Sequence, residues 1–77
     1  MVDIAGHRYS CTIASDINRD GMSLELWDAD ERALLLEVFY SDQDASITLT
    51  AFRESIPVDA VEWAIREART RLRPVSE

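Results

Sequence analysis

Apolar and polar residues alternate with a period of two in four stretches of this chain, then switch to a period near 3.6. In residues 7–14, His7, Tyr9, Cys11 and Ile13 fall on one side and Arg8, Ser10, Thr12 and Ala14 on the other. Residues 22–27 set Met22, Leu24 and Leu26 against Ser23, Glu25 and Trp27. Residues 33–40 are the most apolar, with Leu34, Leu36, Val38 and Tyr40 on one side and Ala33, Leu35, Glu37 and Phe39 on the other. In residues 46–53, Ile47, Leu49 and Ala51 alternate with Thr48, Thr50 and Phe52. Each pattern predicts a strand, and the polar segments between them, one ending in Asp20-Gly21, predict turns.

The longer period predicts a helix over residues 57–73. Val58, Val61, Ile65, Ala68 and Leu72 recur at spacings of three and four and so share one narrow face, the one expected to meet the core. Pro57 suits the first turn, and Pro74 blocks continuation. Asp59 and Glu62 come early and Arg69, Arg71 and Arg73 late, each group opposing the partial charge of its end. Glu62–Arg66 and Glu67–Arg71 are acid-before-base pairs, each contributing a few tenths of a kcal/mol, roughly. Trp63 points almost opposite the apolar stripe. It either folds over a helix edge to cover a loop or anchors a contact with another chain.

Short links between consecutive strands imply hairpins. The expected fold is therefore a single α+β domain over residues 1–77: a four-stranded antiparallel meander followed by one C-terminal helix packed on one face. The covered face is assigned to Tyr9, Cys11, Ile13, Met22, Leu24, Leu26, Leu34, Leu36, Val38, Tyr40, Ile47 and Leu49. Water would then meet Trp27, Leu35, Phe39 and Phe52 among Ser23, Glu25, Thr48 and Thr50, an apolar group on a face that is usually polar. Strand twist, the segment around Ile4, or Ile17 could instead cover part of it. The meander also places the turns at 15–21 and 41–45 at one end, where the returning helix would bring Arg69, Arg71 and Arg73 over Asp16, Asp20, Asp42 and Asp44.

Composition narrows the functional classes. Apolar residues make up 47% of the 77, enough for a core but one of modest net stability, which raises the expectation of oligomerisation. Net charge is −7, and residues 1–55 carry 11 acids against four arginines, a surface that disfavours nucleic acid. All eight basic residues are arginine, as expected from the coding bias of a GC-rich bacterial genome. Cys11 is the single cysteine, and neither a signal-peptide pattern nor a membrane-length apolar run is present, so a cytoplasmic location without membrane association is expected.

Catalytic patterns are weak. His7 and Cys11 share a strand face but stand ~13 Å apart along it, too far for a nucleophile–base pair. Asp28-x-Asp30 and Asp42-x-Asp44 lack the glycine and terminal glutamate of a calcium loop, so no metal or other cofactor is expected. The two glycines, Gly6 and Gly21, build no phosphate loop.

The order of elements is similar to that of small antitoxins that build a sheet and then a helix. Their proline- and glycine-rich segment between strands is missing here, and this chain has an additional strand, so no family is claimed. The sequence supports a non-catalytic protein-interaction module, self-associating as a homodimer or binding another protein through Trp27, Leu35, Phe39, Phe52 and Trp63. The alternative is an acidic antitoxin- or immunity-type inhibitor of a basic protein. Salt separates the two, since a dimer held by apolar contact should barely respond while charge-steered binding weakens steeply.

Overall fold

The computed structural model describes residues 1–72. Among these, five strands form one antiparallel sheet in the order β1-β2-β3-β4-β5, and a single helix follows. The strands are β1 (Val2–Ile4), β2 (His7–Asp16), β3 (Gly21–Asp28), β4 (Ala33–Ser41) and β5 (Ile47–Ala51), and the helix is α1 (Val58–Arg71). The α+β meander with a C-terminal helix stands as the alternation predicts, with one short strand added at its start.

That extra strand escapes a pattern search because it has only three residues and turns on Ala5-Gly6. Both turn residues have positive φ, 50° and 83°, so Ile4 lies directly opposite His7 in a two-residue hairpin. Alanine at the first position hides a turn that asparagine or aspartate would advertise.

A bulge in β4 decides which side chains reach the core. Leu36 pairs with Leu26, but the next pair along is Trp27 with Leu34, which leaves Leu35 without a cross-strand partner on β3. One extra residue reverses the alternation on either side of it. Leu34 therefore faces the open side with Trp27, whereas Leu35 is 0% exposed and joins the core with Leu24, Leu26, Leu36 and Val38. Both assignments made from simple alternation in this strand are corrected: Leu34 leaves the helix side and Leu35 leaves the open face.

The helix keeps Ala68 and Leu72 of its apolar stripe against the sheet but is rotated so that Ala60 and Ala64 replace Val58, Val61 and Ile65 as the buried positions. Ala60, Ala64 and Ala68 are the buried helical positions, and Leu72 is buried just past the last turn. Val58 is 67% exposed, and Val61 and Ile65 are half-buried. The sheet already presents Leu24, Leu26, Leu35, Leu36, Val38 and Tyr40, and small side chains let the helix axis approach that crowded layer. Trp63, half-buried, packs against the core from the helix flank. Pro57 stands at the N-cap, its carbonyl accepting from the Ala60 and Val61 N–H groups at 3.1 and 3.2 Å. Arg73 and Pro74 lie outside the described residues.

Helix α1 packs on β3, β4 and β1 and leaves β5 uncovered. Among the described residues no helix arginine pairs with the turn acids. Arg71 bonds Glu67 within the helix at 3.5 Å, while Asp16 is taken by Arg19 at 2.6 Å. Among the described residues no helix is long and apolar enough to cross a membrane.

Candidate functional site

The open face resolves into rows of side chains fixed by strand register. Trp27 stands between Ser10 and Leu34, Glu25 and Glu37 stand between Thr12 and Thr50, and Phe39 stands between Ser23 and Thr48. Trp27 and Phe39 are thus separated by a carboxylate row and lie roughly 13 Å apart along the strands. Two like charges face each other across β3 and β4, and each takes a donor from its neighbourhood. Glu37 accepts both guanidinium nitrogens of Arg19 at 3.2 and 2.6 Å, and Glu25 accepts the Trp27 Nε1–H at 3.3 Å.

Arg19 does more than neutralise. Its Nε–H also bonds Asp16, and its guanidinium lies over the Phe39 ring, 4.2 Å from the centroid. Hydrogen bonds to two carboxylates raise its pKa further, and the Arg19 bond holds the Asp16 carboxyl below the usual carboxylate range. Gly21 has no Cβ, which leaves room for the Phe39 ring to lie against that backbone; a Cβ there would meet Phe39 Cζ at 2.7 Å. Phe39 is therefore capped by the β2–β3 turn.

Trp27, Leu35, Phe39 and Phe52 are expected on one open face, with Trp63 standing apart on the helix, and the bulge removes Leu35 from that face. Leu35 is in the core, Trp63 packs against it from the helix, Phe39 lies under Arg19, and Trp27 pairs with Leu34 beside Glu25. Phe52 remains, 53% exposed just beyond β5.

Exposed apolar surface gathers instead on β5. Ile47 and Leu49 point to the helix side, opposite Tyr40 and Val38, yet they are 36% and 39% exposed because α1 does not reach them. Every residue of β5 is exposed. Among the described residues its outer edge has no neighbouring strand, and no charged residue occurs between Asp44 and Arg53, the longest uncharged run in the chain. The opposite edge, β1, has three residues with Asp3 at its centre, a common protection of an open strand. β5 has no such protection. The sequence signal was that uncharged run, which reads as an ordinary covered strand until the helix's footprint is known.

A second feature is a cleft of about 360 Å³ between β1, the end of β3 and the start of the helix, lined by His7, Tyr9, Asp28, Glu31, Arg53 and Asp59 among others. Asp28 is buried there. Its Oδ1 accepts the Asp30 and Glu31 N–H groups at 2.9 Å each, and its Oδ2 lies 3.0 Å from His7 Nε2 and 3.6 Å from the Arg53 guanidinium. The Glu31 N–H bond is the main reason its carboxyl titrates below the usual range. Arg53 also bonds Glu31 at 2.6 Å, and Arg8 bonds Asp30 at 2.7 Å. His7, Asp28 and Asp30 could gather ligand atoms within 4.8 Å of one another. Their oxygens already face backbone donors and two arginines, an environment that favours hydrogen bonds over a cation. The network ties the β1–β2 hairpin to the β3–β4 loop and to the segment after β5. His7 thus finds its partner in Asp28, two strands' length away in sequence, and Cys11 sits apart as a half-buried thiol whose pKa burial pushes up.

Compared with protein-family models, curated proteins and solved structures, the chain matches none.

Proposed function

We propose that this protein is a small non-catalytic protein-interaction module that associates with a second protein surface through β5. The supporting observation is that, among the described strands, β5 alone combines an open edge, an uncovered apolar side and an absence of charge in a chain of net charge −7. Covering the remaining exposure of Ile47 and Leu49 would contribute about 1 kcal/mol each, and backbone pairing along the edge adds to this. The interaction is self-association, symmetric homodimers being the commonest of soluble oligomers.

Leu49→Lys tests the reading. A lysine is well tolerated on an edge strand, so the variant should keep the wild-type circular dichroism and lose association measured by light scattering. A variant whose mass matches that of the wild type at every concentration would remove β5 from the contact.

A further inference from the structure

The manner of association can be read from the backbone of β5, and it rests on the self-association reading above. Two hydrogen bonds bracket the β4–β5 ladder: Ser41 N–H to Ser46 O at 2.9 Å and Phe52 N–H to Leu35 O at 2.8 Å. In an antiparallel pair, groups point alternately toward and away from the partner strand. Ser46 and Phe52 point inward, so Thr48 and Thr50, in step with them, do so too. The N–H and C=O groups of Ile47, Leu49 and Ala51 consequently point out of the sheet at its free edge. The side chains of these same three residues lie on the helix side, opposite Tyr40, Val38 and Leu36.

We infer that two copies pair β5 against β5, antiparallel, about a two-fold axis normal to the sheet at Leu49. Leu49 then lies opposite its counterpart and Ile47 lies opposite the other copy's Ala51. In this register every outward N–H and C=O of β5 finds a partner, whereas a shift of two residues in either direction leaves some unpaired. The apolar side is equally self-matching: the two leucines meet at the axis, and each bulky isoleucine stands beside a small alanine. The sheets fuse into one, with both helices on the same side and neither overhanging the seam, since α1 keeps clear of β5.

A second copy fits this edge better than a foreign strand because of charge. Two chains of net charge −7 repel wherever their acidic surfaces approach, and the run from Ala45 to Phe52 is the longest segment at which they can meet without like charges. A basic partner would find no carboxylate on β5 to recognise.

The experiment uses the full chain and reads amide hydrogen exchange by NMR at low and high protein concentration. The N–H groups of Ile47, Leu49 and Ala51 should gain at least about tenfold protection on concentration, while Thr48 and Thr50, already bonded to β4, change little. Leu49→Pro deletes an outward donor without touching the β4 ladder and should stay folded while association weakens about tenfold or more. Should that variant unfold, Ala51→Lys places a charge on the seam and should have the same effect. A dimer whose outward β5 amides stay unprotected would overturn strand pairing and leave the broader reading in place. A monomer at all concentrations would overturn both. A monomer with those amides protected would mean that the chain covers its own edge, and would likewise overturn the proposal.

Discussion

Leu49 lies directly opposite Val38 on the same side of the sheet, yet Val38 is 1% exposed and Leu49 39%. The difference comes from the helix, which covers β4 and stops short of β5. A sheet face that is apolar across β4 and β5 but covered only over β4 is the relation on which the functional reading turns.

Leu35 and Phe52 separate a core role from a surface one. Leu35→Ala should destabilise the fold by about 2–5 kcal/mol, because the bulge places it fully inside. Phe52→Ala should cost less than about 1.5 kcal/mol, in line with its exposure. Urea midpoints of both variants check this. Equal losses would mean that the bulge does not direct Leu35 inward.

Gly21→Ala should destabilise by about 2 kcal/mol or more, since the new methyl would press on the Tyr40 carbonyl oxygen and the Phe39 ring. Adding Phe39→Ala should relieve only part of that loss, because the carbonyl is backbone and cannot swing away. Thermal unfolding of the single and double variants gives the comparison. Full recovery in the double variant would show that the ring alone is the obstacle.

Acid should weaken the fold in a defined direction. The carboxyls of Asp16, Asp28 and Asp44 titrate below the ordinary value of 3.8, held there chiefly by Arg19, by the Glu31 N–H and by Ser46 respectively. A depressed folded-state pKa means that this stabilisation is complete above the unfolded-state value and is lost as pH falls through the folded-state values. Urea midpoints should hold steady from neutrality to about pH 5 and then fall. Asp28→Asn should lower the midpoint at neutral pH and flatten its decline in acid. An undiminished acid response in that variant would assign the effect to other groups.

Much of the fold is legible in the sequence because period-two alternation and hairpin turns are local properties. Tyr9, Leu24, Leu26, Leu36 and Val38 all fall where alternation puts them. Leu34 and Leu35 do not, because a bulge is set by the pairing of two strands and leaves no mark in a run of four apolar residues. The helix misleads for a related reason. Its valines and isoleucine form the more hydrophobic stripe, but the sheet beneath is crowded enough that alanines make the closer fit. The cover over Phe39 was not legible either, because the reach of Arg19 across that ring to Glu37 depends on the conformation of the β2–β3 turn. The β5 edge was legible only as an uncharged run, since exposure there depends on where α1 ends its cover.

Salt distinguishes self-association from recognition of a basic partner. Two copies that each carry −7 repel, so screening should leave β5-mediated association unchanged or strengthen it. An inhibitor steered by its carboxylates would bind its basic partner less well as salt rises. Self-association that falls steeply between 50 mM and 500 mM salt, roughly spanning weak to strong screening, would point to charge rather than to β5.

Sedimentation equilibrium of the unmodified protein over a wide concentration range tests the central claim most directly. The mass should climb from that of one 8.8 kDa chain toward twice that value and level off there, as a closed two-fold pairing requires. A single-chain mass throughout would contradict the account, and so would a mass that keeps rising past the pair.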